Sequence, residues 1–133
     1  MVKYLPFLCI FLVIGCSEKN QEEQLFELKS ITIDSKGSYS GYISSDETAE
    51  SCKTFVLEND KALNFFKHSQ VVTLREYEHD LTASNCYVNG TFVSSLGEKG
   101  TWKIDRARRG MLTIGADTTY YYCSDCKSSL FYK

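Results

Sequence analysis

CYVNGTFVSSLGEKGTWKIDRARRGMLTIGADTTYYYC, residues 86–123, decides the fold. Four segments rich in β-branched and aromatic residues, CYVNGTFVS, GTWKIDRA, MLTIGA and TTYYYC, lie between the turn stretches 96–100, 108–110 and 116–117. Side chains of that type fit a pleated, half-buried surface. Glycine, aspartate and other turn formers between such runs mark reversals of the chain. The pattern predicts an antiparallel meander. Successive side chains on a strand point to opposite sides, so Trp102 and Ile104 share a face, as do Leu112 and Ile114, and these are the expected core positions. Gly90, inside the first segment, is read as a bulge.

Working upstream, LFELKSITI (25–33) alternates apolar and polar residues and predicts a strand. Asp34 to Gly37 then forms a turn, and SYSGYIS (38–44) pairs back as a hairpin. A polar loop follows at 44–51, and CKTFVL (52–57) has strand composition. Next, Asn59 or Asp60 caps a helix. Ala62, Leu63, Phe65 and Phe66 fall on one side of it, with Lys61, Asn64 and Lys67 on the other. It is short, so packing must hold it. VVTLREYE (71–78) returns to strand-like composition. The expected fold class is α+β: a mostly antiparallel sheet of six to seven strands with one short helix (about 60–68), disulfide-linked, in a single domain over 25–133.

The chain opens MVKYLPFLCIFLVIGCSEKNQEEQ. Lys3 precedes an uncharged apolar run, Leu5 to Gly15, which is shorter than the ~20 residues needed to span a bilayer. Val13-Ile14-Gly15-Cys16 then gives way to polar residues. This resembles the lipobox of bacterial lipoproteins. The resemblance implies that residues 1–15 are a signal peptide cleaved before Cys16. It also implies a thioether-linked diacylglycerol on Cys16, acylation of the new amino terminus (palmitate), and a polar tether over 16–24. Each buried methylene contributes ~0.8 kcal/mol, so two or three chains anchor firmly. Ser17 is not the Asp-type signal for inner-membrane retention. The expected address is therefore the cell envelope, at the outer membrane in a Gram-negative host, facing the periplasm or the cell surface. An ordinary secretory signal with an incidental Cys, or a buried N-terminal helix, are the alternatives.

Removing residues 1–15 takes away Lys3 and no acid, leaving 14 basic and 17 acidic side chains, net −3. That balance argues against a nucleic-acid partner, which needs a basic surface. Cys52, Cys86, Cys123 and Cys126 remain, an even number in an exported domain, and predict disulfides. Three connectivities are open. Because bridges across long loops stabilise most, the preferred expectation links the terminal pair back to Cys52 and Cys86. A thioredoxin-like centre would need a helix after Cys126, and KSSLFYK is too short and β-prone. A zinc site would need a second close Cys pair.

Other clusters are sparser in chemistry. Glu76, Glu78 and Asp80 would share a face of a strand beside His79 and suit a hard cation or an acid/base pair, or simply a solvated strand end. Arg106, Arg108 and Arg109 sit at a hairpin tip and could grip a carboxylate or phosphate or anchor a protein partner, or simply form an ordinary exposed turn. Tyr121, among the aromatics 120–122, 131 and 132, is the candidate outer tyrosine of a recognition surface. No Gly-x-Ser-x-Gly elbow or phosphate loop is present. The expected function is a non-catalytic binding lipoprotein, held to a membrane by its lipid anchor and needing no cofactor. It would act as an inhibitor or immunity-type protein that blocks a protein partner. A structural or adhesive lipoprotein, or a thiol-disulfide oxidoreductase, are the alternatives.

Overall fold

A computed structural model describes residues 27–132. Residues 1–26, including the signal-like segment, Cys16 and the start of the first expected strand, lie outside the described residues. The strands are β1 (Leu28–Tyr39), β2 (Gln70–Val72), β3 (Cys86–Ser94), β4 (Lys99–Asp105), β5 (Arg109–Ile114) and β6 (Asp117–Tyr122). They form one six-stranded antiparallel sheet in the order β1-β3-β4-β5-β6-β2. Helix α1 (Ala49–Cys52), helix α2 (Asn59–His68) and a π-helical turn (Glu76–Asp80) complete the fold. It is α+β, with the meander of 86–122 at its centre.

One sheet face carries the core. Trp102, Ile104, Leu112, Val88 and Phe92 are buried there, and α2 lays Ala62, Phe65 and Phe66 over them. Phe66 meets Trp102 and Tyr121 edge-on, with centroids at 6.3 and 5.5 Å. Gly110 makes the close approach possible: a Cβ there would lie 2.6 Å from the Phe65 ring. Gly90 answers a similar need. A Cβ on it would stand 1.7 Å from the Thr32 carbonyl oxygen and 2.9 Å from Trp102 Nε1. The indole passes over this bare position and donates to the carbonyls of Thr32 (3.1 Å) and Thr91 (3.0 Å). The irregularity expected at Gly90 falls on its partner strand, between Ile33 and Ser35.

The opposite face, covered at one end by Tyr77 on Tyr120, carries a polar row. Thr32, Thr91, Thr101, Thr113 and Thr118 stand in register across β1, β3, β4, β5 and β6. The Thr113 and Thr118 hydroxyls are 2.9 Å apart. Apolar on one side and hydroxyl-rich on the other is the expected division for an antiparallel sheet with one covered face.

Three local expectations are corrected. The 25–44 hairpin is instead one strand, because residues on both sides of Asp34–Gly37 pair with the same neighbour, from Ser30 opposite Val93 to Tyr39 opposite Cys86. The turn residues are absorbed as register shifts, and Gly37 at φ +59° donates its N–H to the Phe55 carbonyl at 3.0 Å. Residues 52–57 are not a strand. Cys52 ends α1, which Thr48 and Ser51 close by reciprocal bonds of 3.1 and 2.9 Å, and Phe55 and Leu57 enter the core without a strand partner. Of 71–78, only Val71 and Val72 are strand, paired with Tyr121 and Tyr120. The rest winds into the π-helical turn, which buries Tyr77 against Tyr120 with centroids 4.8 Å apart.

Candidate functional site

The start of β3, the β4–β5 turn and the end of β6 meet at one end of the sheet, and all four described cysteines lie there. Cys52 pairs with Cys86, and Cys123 with Cys126. This corrects the preferred connectivity. Cys86 opens β3 and Cys123 follows β6, three strand spacings away in the sheet order, about 14 Å at ~4.8 Å per spacing. A disulfide needs Cα atoms within about 7 Å. Cys52 comes down beside Cys86 because α1 packs on the start of β3, so the long loop closes there, over a separation of 34 residues. Loop entropy assigns that bridge about 4 kcal/mol and the short one about 2 kcal/mol.

Arg106, Ala107 and Arg108 make the β4–β5 turn. Arg108 has φ +70°, a left-handed conformation that costs a side-chain-bearing residue ~1–2 kcal/mol. Surrounding bonds hold it. Arg108 N donates to the Asp105 carbonyl at 3.1 Å, and Cys123 N donates to the Arg108 carbonyl at 3.1 Å. Arg108 Nη1 donates to the Ser124 carbonyl at 3.0 Å, inside the disulfide loop. The Arg106 carbonyl accepts from Tyr132 N at 3.0 Å. Each guanidinium lies over a tyrosine: Arg106 over Tyr132 at 5.3 Å and Arg108 over Tyr122 at 5.5 Å. Their Nε atoms are buried with no hydrogen-bond partner among the described residues. An unmet buried donor costs ~1–3 kcal/mol. Backbone strain and unmet donors are thus concentrated in one half-buried turn.

Of the residues singled out by sequence, Arg106 and Arg108 come together here and Arg109 and Tyr121 do not. Arg109 is only 9% exposed and Asp105 1%. Arg109 Nε donates to Asp105 Oδ2 at 2.8 Å, its backbone N–H to Oδ1 at 3.0 Å, and its Nη1 to the Tyr77 carbonyl at 2.6 Å. The guanidinium also covers the Tyr77 ring at 4.2 Å. Burial pushes the Asp105 carboxyl upward while the Arg109 charge opposes it. Burial also pushes the Tyr77 hydroxyl up to about 12, against the pull of Arg109. Arg109 is thus a structural cation, unavailable to a partner. Tyr121 is on the helix-covered face against Phe66, so it is not the outer tyrosine.

Tyr122 and Tyr132, both half-buried, are the tyrosines beneath the two turn arginines, and Glu47 fixes Tyr132. The Glu47 carboxylate accepts from Ser84 Oγ at 2.5 Å, from Asn85 N at 2.6 Å and from the Tyr132 hydroxyl. Burial alone would raise its pKa, but the bonds from Ser84, Tyr132, Asn85 and Ser45 outweigh it and hold it low. Asn85 in turn pins the 40–45 loop. It accepts from Ser40 Oγ and Ile43 N, both at 2.9 Å, and donates to the Ile43 carbonyl at 2.6 Å. Nothing in the sequence singles out Glu47. The one signal for Tyr122 and Tyr132 is their closeness to the terminal Cys pair.

The Glu76–Asp80 cluster lies on the π-helical turn, so its acids do not share a strand face. Glu76 is engaged locally, accepting from Thr73 N at 2.7 Å. Among the described residues no group of three or more His, Cys, Asp and Glu is arranged to hold a metal ion. No helix among them is long and apolar enough to cross a membrane. No protein-family model, curated protein or solved structure matches this chain.

Proposed function

We propose that this chain is an envelope lipoprotein, anchored through lipidated Cys16, whose folded body is a non-catalytic binding domain of the inhibitor or immunity type. It blocks a protein partner by presenting the Arg106–Arg108 turn, with Tyr122 and Tyr132, to acidic side chains. The observation that carries this reading is the pair of guanidinium groups pre-ordered on tyrosine rings in a strained turn. Ordering a free side chain on binding costs ~0.5–1.5 kcal/mol, and here stacking has already restricted both arginines. Arginine and tyrosine dominate interface hot spots, and a guanidinium receives a carboxylate through two parallel bonds. The lipobox-like signal supports the envelope address, where oxidising conditions suit the two disulfides. Outer-membrane placement in a Gram-negative host follows from Ser17.

Capture from detergent-solubilised envelope tests this. The oxidised domain is expected to retain a stoichiometric protein that the Arg106→Ala/Arg108→Ala variant does not. Retention of the same protein by both would overturn the reading. The polar threonine face favours a second reading, adhesion to a hydroxyl-rich envelope polymer. Sedimentation with purified peptidoglycan by the wild type and by the arginine variant alike would support that reading instead.

A further inference from the structure

We propose that the Cys123–Cys126 disulfide is a redox latch on the Arg106–Arg108 turn: a dithiol reductant opens it while Cys52–Cys86 stays closed, and each arginine then loses one support, the Ser124 carbonyl for Arg108 and Tyr132 for Arg106. The consequence for partner binding rests on the function proposed above; the latch itself does not.

The two bridges differ in access. Cys52, Cys86 and Cys123 are fully buried, whereas Cys126 is half-buried. Thiol–disulfide exchange needs a thiolate to approach one sulfur, and Cys126 is the one cysteine of the four that is not fully buried. They also differ in what holds them shut. Cys52–Cys86 joins α1 to the first residue of β3 across a separation of 34 residues, while Cys123–Cys126, with Cys123 in the core and Cys126 at its edge, closes a separation of only 3 residues beyond the last strand. Exposed bridges are the more readily reduced class.

What the short bridge organises is the arginine turn. Cys123 N donates to the Arg108 carbonyl, and Ser124, inside the closed loop, supplies the carbonyl that receives Arg108 Nη1. Past Cys126 the chain returns at once. Phe131 packs between Phe55 and Phe65, with centroids at 5.6 and 6.0 Å, and Tyr132 brings its N–H to the Arg106 carbonyl and its ring beneath the Arg106 guanidinium. Residues 123–132 therefore supply the Ser124 carbonyl that holds Arg108 and the Tyr132 ring that underlies Arg106, while the Tyr122 ring under Arg108 belongs to β6. Opening the loop removes the restraint that aims Ser124 and directs the tail back. Arg108, already in a left-handed conformation, then has a favourable route out of it. The sheet persists, because β6 remains paired with β5 and β2.

The exchange balances with a dithiol as reductant. Its thiolate attacks Cys126 Sγ, the Cys123–Cys126 bond breaks, and Cys123 leaves as a thiolate. The second thiol of the reductant then attacks the mixed disulfide and releases Cys126. Two electrons pass from the dithiol, which ends as a disulfide, and its two protons end on Cys123 and Cys126.

Titration of the folded domain with dithiothreitol tests the latch, using alkylation mapped by mass and amide hydrogen exchange. Cys123 and Cys126 are expected to label at reductant levels about tenfold below those needed for Cys52 and Cys86. At that point the Cys123 and Tyr132 amides should exchange at least about tenfold faster while β3 and β4 amides hold. The Cys123→Ser/Cys126→Ser variant should show the same exchange pattern without reductant. Opening of both bridges together, or opening of Cys123–Cys126 with the Cys123 and Tyr132 amides unchanged, would overturn the proposal. A domain that unlatches as described yet captures no envelope protein in either state keeps the latch and loses the binding reading.

Discussion

Replacing Arg109 by Ala should separate a structural arginine from a recognition arginine one residue away. Arg109→Ala deletes the bond to Asp105 Oδ2 at 2.8 Å, the bond to the Tyr77 carbonyl at 2.6 Å and the cover over the Tyr77 ring. It leaves Asp105, 1% exposed, with only the backbone N–H groups of Ser84 and residue 109. Breaking one side of a buried ion pair costs ~3–5 kcal/mol. The two surviving backbone donors place this case near the lower end, about 3 kcal/mol. That is a large share of the ~5–15 kcal/mol that holds a domain together. With a urea slope of ~1–3 kcal/mol/M, the unfolding midpoint should fall by about 1–3 M. Arg108→Ala should cost less than about 1 kcal/mol, since it loses only a half-exposed stack and one bond to a loop carbonyl. Equilibrium urea unfolding followed by tryptophan fluorescence reads both, because Trp102 is buried in the core. An Arg109→Ala loss below about 1 kcal/mol, or an Arg108→Ala loss equal to it, would refute the assignment of roles.

Other expectations follow from the same packing. Gly90→Ala would drive a Cβ to 1.7 Å from the Thr32 carbonyl. With overpacking at ~1–3 kcal/mol and a strained buried indole bond at ~1–3 kcal/mol, it should destabilise by about 4 kcal/mol. Gly97→Ala, with nothing within 4 Å but φ +81°, should cost only ~1–2 kcal/mol; equal losses in urea would contradict the close-approach argument. Replacing Cys52 and Cys86 together by Ala should cost more than replacing Cys123 and Cys126, about 4 against about 2 kcal/mol, as calorimetry can compare. Glu47 has a folded pKa held below its ordinary 4.5. Its contribution is therefore complete above that value and is lost as pH falls through the folded value. The stability gap between wild type and Glu47→Gln should shrink on acidification below about pH 4.5, and a gap constant between about pH 6 and pH 3 would count against the Glu47 latch.

The meander was legible because its signals are local. A period-2 alternation and short turn clusters define β3 to β6, and the Ala62–Phe66 spacing defines α2. What stayed hidden depends on neighbours in space. Residues 52–57 do alternate into the core, but whether such a run is a strand depends on a pairing partner that it does not have. Gly37 is a turn residue and favours a hairpin over 25–44, yet β3 is long enough to pair with both arms. Arg108 and Arg109 are chemically identical in sequence; only the register that sets Arg109 opposite Tyr122, beside the Asp105 carboxylate, makes one structural. Glu47 lay in a polar loop, with its partners Ser84 and Tyr132 separated from it by 37 and 85 residues. The cysteine pairing failed for a related reason, since loop entropy favours long closures while strand order decides which are geometrically possible.

The most direct test of the paired-arginine surface is a binding titration of the captured envelope protein against the oxidised domain and its folded Arg108→Ala variant. A hot-spot arginine carries ~2 kcal/mol or more, so the variant should bind at least ~30-fold more weakly with its unfolding midpoint little changed. Affinity within about twofold of wild type in that folded variant would contradict a role for this turn in recognition.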